Sequence, residues 1–115
     1  MGRLMESDWN IAQSSPRSQI MIIEWSDEAL ADLGSLHAFI AKDNPNAAQK
    51  VAMTIVASVE TNLPDNPHIG RPGRVNGTRE LVIKHTPYIV PYRIKSDTIQ
   101  VLRVYHGARR WPDRL

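Results

Sequence analysis

The sequence has 115 residues, a length that predicts one domain able to bury a core without disulfide bonds. The absence of cysteine excludes disulfides and cysteine-based zinc sites, and no apolar run approaches the roughly 20 residues of a membrane span, which predicts a cytoplasmic protein. Residues 20–70 carry seven acids and two bases, a balance of −5, whereas residues 71–115 carry three acids and ten bases, a balance of +7, so the second half is predicted to meet an anionic partner.

Residues 1–19 show no sustained apolar period and are predicted to form a flexible leader before an organised domain at residues 20–115. The short β-branched run at residues 20–25 (IMIIEW) predicts a first strand. Ser26 then suits the N-cap of a helix whose apolar stripe contains Leu33, Leu36, Phe39 and Ile40.

A second helix is predicted from Asn44, as N-cap, to the stop at Pro64, with Pro45 in the first helical position. The link between the helices is short, which predicts an antiparallel helical hairpin. A loop at residues 64–78 precedes strands at 79–84, 88–94 and 98–105. Pro91 cannot donate to a ladder, so the middle strand should carry a bulge or an outward-facing backbone position there. The predicted fold is therefore α+β, ordered β-α-α-β-β-β, with the helical hairpin packed on a mainly antiparallel four-stranded sheet.

Basic residues dominate the three later strands and the tail that follows them. They suit binding of phosphates or of a carboxylate-rich peptide, although solubilising strand residues with a few ion pairs are the alternative. His106 beside arginines suits general acid–base catalysis of phosphodiester cleavage; alternatively His106 ends the last strand and Trp111 fixes the tail on the helices. The histidine spacing predicts no metal site, and no motif predicts a cofactor.

The sequence resembles the ParE branch of the RelE/ParE toxin superfamily from about residue 20 to residue 112. The resemblance is carried by five segments in order: IIEWSDEALADL, AKDNPNAAQKV, GRPGRVNGTRELVI, PYIVPYRI and VLRVYHGARRWP. It implies a toxin encoded beside a ParD-like antitoxin that neutralises it by wrapping its surface, with DNA met only indirectly through the antitoxin. ParE-like members are associated with poisoning DNA gyrase, whereas RelE-like members cut messenger RNA on the ribosome.

Gyrase inhibition, without enzymatic activity, is the predicted mode. RelE-like ribonucleases place an arginine after the aromatic residue that opens the middle strand, where this chain has Ile89 after Tyr88. The alternatives are a metal-independent endoribonuclease using Arg79, His106 and Arg109, and a non-toxic relative that binds its antitoxin. The predicted antitoxin contacts are Leu33, Leu36, Phe39, Ile40, Arg71, Arg74, Arg79 and Arg93. The predicted target contacts are His106, Arg109, Arg110 and Trp111.

Overall fold

The computed structural model describes residues 21–108. The predicted leader, as well as Arg109, Arg110 and Trp111, therefore lies outside the described residues. The elements in chain order are β1 (Ile22–Trp25), α1 (Asp27–Ala41), α2 (Pro45–Asn62), β2 (Arg71–Pro72), β3 (Arg79–Val82), β4 (Tyr88–Lys95), β5 (Thr98–Val101) and β6 (Tyr105–His106). No helix within this range is long and apolar enough to cross a membrane.

Both helices begin at the residues that the sequence predicts. The Ser26 hydroxyl accepts a hydrogen bond from the Ala29 amide at 3.0 Å, and the Asn44 side-chain oxygen accepts one from the Ala47 amide at 3.0 Å. Each cap satisfies an amide that lacks an intrahelical partner in the first turn. The two helices pack on each other as the predicted hairpin.

The strands form one mixed sheet in the order β1-β5-β4-β3-β2, with β6 also paired to β4. Within residues 21–108 only the β1–β5 pair is parallel, and the β4–β5 hairpin closes where Lys95 pairs with Thr98. The predicted α+β fold is thus confirmed. The two-residue strands β2 and β6 are additions that the sequence did not predict, because segments so short carry no alternating pattern.

The hydrophobic core lies between the helical hairpin and one face of the sheet. It combines Leu36 of α1 and Ile55 and Val59 of α2 with residues of β3, β4 and β5. We call the opposite sheet face the open face; alternation along the strands places Glu24, Glu80, Val82, Arg93 and Gln100 on it. The main core therefore lies on one side of the sheet, and the open face carries polar and charged side chains together with the apolar Val82 and Ile89.

The predicted strand at residues 98–105 is divided into β5 and β6 by a β-bulge. Tyr92 pairs with Val101, and Ile89 pairs with Tyr105. Between these two pairs β4 has two residues, 90 and 91, whereas the opposing segment has three, 102–104, so one extra residue is inserted there. Pro91 explains the break. The Leu102 amide donates to the Pro91 carbonyl at 2.9 Å, but proline has no N–H to return the second bond of the pair. The irregularity expected in the middle strand therefore lies on the segment opposite Pro91, whereas β4 itself runs unbroken from Tyr88 to Lys95.

Candidate functional site

Helix α1 is attached directly to the bulge by two polar side chains. The Ser26 hydroxyl donates a hydrogen bond to the Leu102 carbonyl at 2.8 Å. Pro91, which faces this carbonyl across the ladder, has no N–H to donate to it. The Asp32 carboxylate accepts from the Val104 amide at 2.9 Å. The backbone groups released by the bulge are therefore satisfied by the helix, as buried polar groups require.

Asp32 also forms a bidentate ion pair with Arg103, the middle residue of the bulge. Arg103 Nε lies 2.8 Å from Asp32 Oδ2, and Nη2 lies 3.0 Å from Oδ1. Hydrogen bonding to Asp32 is the main reason that the pKa of Arg103 is raised above its ordinary value. The guanidinium also stacks on the Tyr105 ring, with Cζ 4.9 Å from its centroid. We call Asp32, Arg103 and the Val104 amide the bulge clasp.

A depression of about 240 Å³ opens beside the bulge clasp, between α1 and β6. The Tyr88 and His106 rings meet edge to face at its end, with centroids 5.5 Å apart and an angle of 80° between the ring planes. The His106 Nδ1 atom accepts from the Ala108 amide at 3.2 Å, so a neutral ring carries its proton on Nε2. Burial raises the pKa of Tyr105 above its ordinary value.

The depression brings together two of the predicted antitoxin anchors and one predicted target residue. Leu36 is buried in its floor, Phe39 stands at its rim with 63% of its surface exposed, and His106 lines its wall. Leu33 and Ile40, the other predicted anchors, are half-buried and pack against the core. Phe39 is therefore the most accessible of the four apolar residues.

Arg79 lies far from His106. Its guanidinium donates to the carbonyl oxygens of Gly70 at 2.9 Å and His68 at 3.0 Å, and so holds the loop before β2. Arg79 pairs with Tyr92 on one side of β4, whereas His106 pairs with Tyr88 on the other. Four residues of strand correspond to about 13 Å. Among the described members of the predicted ribonuclease set, Arg79 and His106 do not share a site.

The remaining predicted basic contacts lie on the open face, away from α1. Arg71 and Arg74 converge on Glu80, which is 2% exposed: Arg71 Nη2 lies 3.0 Å from Oε1, and the Arg74 amide donates to Oε2 at 2.9 Å. Arg93 donates to the Gln100 side chain at 2.6 Å. A partner that contacts both these cations and Phe39 must therefore wrap around the sheet.

Sequence reasoning missed the bulge clasp. Asp32 reads as part of an acidic helix start, and Arg103 as one base among many on a strand. The one available signal was Pro91, which predicts a bulge but not its partner on the helix. Residues 21–108 contain no group of three or more histidine or acidic side chains that could hold a metal ion.

Comparison with known proteins places these features in a family. Residues 23–111 match the family model described as the ParE toxin of the type II toxin–antitoxin system parDE. The protein Y4kP of Sinorhizobium fredii is 44% identical over 93 residues, which cover 81% of this chain and 95% of that protein. Toxin RelE2 of Caulobacter vibrioides is 31% identical over 87 residues, which cover 76% of this chain and 96% of that protein.

Solved structures show the same fold. The chromosomal ParDE toxin–antitoxin system of P. aeruginosa contains a chain with a TM-score of 0.69 and 32% identity, and the match covers 76% of this chain and 97% of that one. The RelBE2 toxin–antitoxin complex of Mycobacterium tuberculosis contains a chain with a TM-score of 0.56 and 24% identity, covering 76% of this chain and 98% of that one. At that identity the second likeness shows the fold alone.

Proposed function

The chain belongs to the ParE toxin family of type II toxin–antitoxin systems, and on that premise we propose that it inhibits DNA gyrase by binding it and is neutralised by a ParD-like antitoxin in the cytoplasm. The observation that carries the proposal is the match to the ParE family model over residues 23–111. The P. aeruginosa neighbour is part of a ParDE system, which supports an antitoxin partner of the ParD kind.

The position of the predicted catalytic residues supports binding over catalysis. Cleavage of a phosphodiester needs a proton-transfer group and a cation that both reach the scissile phosphate. Arg79 is engaged by two loop carbonyls and lies across β4 from His106, four residues further along that strand. Arg103, three residues before His106, is already neutralised by Asp32. These residues suit a surface that binds a protein better than one that cuts RNA.

The same depression gives a specific reason to retain messenger RNA cleavage as a second candidate function. His106, Tyr88 and Tyr105 place a titratable ring among aromatic rings, which an unstacked base can contact. The 31% identity to toxin RelE2 of C. vibrioides is compatible with either branch. Under this alternative His106 is the acid and Arg109, outside the described residues, the phosphate ligand.

For the antitoxin, we propose an apolar anchor in the depression at Leu36 and Phe39, with acidic residues reaching the cations Arg71, Arg74 and Arg93. A segment that folds on binding can wrap a surface of this extent. His106 and the tail residues Arg109, Arg110 and Trp111 are the proposed target contacts. Arg79 remains a proposed antitoxin contact, although its carbonyl bonds give it a structural role as well.

Controlled expression tests the proposal. The chain is expressed with and without the product of the neighbouring antitoxin gene, and growth, plasmid supercoiling and messenger RNA integrity are followed together. Growth arrest with relaxed plasmids and intact RNA, relieved by the antitoxin, is the expected result. Arrest with cleaved RNA and normal supercoiling favours the ribonuclease. Absence of arrest leaves a relative that binds antitoxin without toxicity.

A further inference from the structure

A groove of about 400 Å³ runs along the outer edge of the sheet, on the side opposite β1. Ser58 and Asn62 of α2 form one wall, Ile69 and Arg71 form another, and β3 forms the floor. The groove exists because β2 is only two residues long and pairs with Arg79 and Glu80 alone. The rest of the β3 edge is therefore uncovered.

The uncovered edge presents a backbone amide and carbonyl at Val82. The Ile83 amide donates inward to the Tyr88 carbonyl at 3.1 Å. Successive residues of a strand point their backbone groups to opposite edges, so those of Val82 point outward. β2 begins at Arg71, opposite Glu80, and no strand of the described chain continues to the position opposite Val82. Unpaired edge groups of this kind are a template for an added strand.

The side chains around this edge define the partner's chemistry. Val82 is 49% exposed and Ile69 is 55% exposed, so the edge is apolar at its centre. Arg71 lies at one end of the groove and Lys84 at the other. The only acid in the lining, Glu80, is buried and held by Arg71 and Arg74. Lys84 forms no ion pair with any residue in the range 21–108. The groove thus offers apolar contact between Lys84 and the cluster of Arg71, Arg74 and Glu80, in which two arginines share one carboxylate and leave a net positive charge.

We propose that this groove takes an extended, acidic segment of the antitoxin, which adds to the sheet as a further strand beside Val82. The proposal rests on the proposed function, because it assumes that an antitoxin binds this chain. Alternate side chains of an added strand point to opposite faces. On the open face an apolar side chain of the segment meets Val82, and an acidic one two positions away meets Lys84. On the other face its side chains meet Ser58 and Asn62.

The first test removes the outward amide. Val82→Pro removes the N–H that faces the groove and keeps an apolar side chain, at a sheet edge where proline is tolerated, whereas Val82→Thr keeps the N–H and the β-branched shape. Isothermal titration with the purified antitoxin should show affinity reduced about tenfold by Val82→Pro and hardly changed by Val82→Thr. Equal affinities of the two variants overturn the proposal. Failure of the unsubstituted chain to bind overturns the proposed antitoxin function as well, so the two failures are distinguishable.

The second test concerns the cation and leaves the backbone unchanged. Lys84→Glu should weaken antitoxin binding about tenfold or more, and Lys95→Glu, an identical charge change at the far end of β4, should weaken it less than twofold. Hydrogen exchange of the unsubstituted chain gives a check independent of folding defects. The Val82 amide should exchange at least about tenfold more slowly in the complex. Equal effects of the two lysine substitutions, or unchanged exchange at Val82, overturn the proposal.

Discussion

Asp32 and Arg103, 71 residues apart in sequence, form a bidentate ion pair that joins the first helix to the bulge of the last strands. The same carboxylate accepts the Val104 amide. The bulge lies opposite Pro91, which has no N–H to pair with the Leu102 carbonyl, and Asp32 contacts the backbone of the bulge from the helix layer. His106 lies two residues after Val104 in the chain and lines the depression beside this attachment.

Asp32→Asn is expected to lower the free energy of unfolding by about 1–3 kcal/mol, because it removes the charge that neutralises Arg103. The pair is only partly buried, with side-chain exposures of 18% for Asp32 and 33% for Arg103, and the figure is reduced accordingly. Urea unfolding measures the effect. Glu24→Gln, on the exposed surface, should cost less than about 0.5 kcal/mol. Equal stability of Asp32→Asn and the unsubstituted chain contradicts a stabilising role for the bulge clasp.

Glu80→Ala is expected to destabilise the chain by about 3 kcal/mol, since it leaves two arginines and the Arg74 amide without a buried carboxylate. The Arg71 guanidinium and the Arg74 amide both bond to this side chain, which is almost fully buried. Thermal and urea unfolding measure the change, and the neighbouring Val82→Ala is the control for loss of side-chain area alone. A cost no larger than that of the control would show that the buried carboxylate is not needed.

Tyr92 should make stability fall at alkaline pH. Its pKa is raised above the ordinary value of 10.0, chiefly because burial disfavours the phenolate. The folded state therefore favours the neutral phenol; this contribution is full below pH 10 and is lost as pH rises through the raised folded pKa. Tyr92→Phe should unfold about 1–2 kcal/mol more easily at pH 7, because the Pro67 carbonyl and Gly70 amide lose their partner. The free energy of unfolding of Tyr92→Phe should decline less steeply above pH 10 than that of the unsubstituted chain. If the two proteins give parallel curves of unfolding free energy against pH, this account is contradicted.

Phe39→Ser is expected to weaken antitoxin binding by about 2 kcal/mol, roughly thirtyfold, if Phe39 is the apolar anchor at the rim of the depression. Phe39 is 63% exposed, so its replacement should hardly affect folding. Ile22→Thr is the matched control, because Ile22 is 55% exposed on β1 and lies outside the depression. Surface binding kinetics with the purified antitoxin give both dissociation constants. An unchanged constant for Phe39→Ser would remove this residue from the antitoxin contact.

The sequence was sufficient for the helices and for the order of the main strands. Ser26 and Asn44 predict the helix starts because each side chain accepts a hydrogen bond from a first-turn amide only three residues away in the chain. It was not sufficient for the partners of Asp32 and Arg79. Asp32 meets the bulge only after the helix packs on the sheet, and Arg79 bonds to loop carbonyls that have no sequence signature. Contacts between distant segments depend on packing geometry, which composition and periodicity do not contain.

The most direct test of the central claim is the supercoiling of relaxed plasmid by purified DNA gyrase in the presence of the purified chain. The account predicts that supercoiling is inhibited in proportion to the chain added, that pre-incubation with the antitoxin restores it, and that messenger RNA in a parallel translation reaction stays intact. Normal supercoiling with cleavage of that RNA would contradict it and would move the function to His106 and the ribonuclease branch.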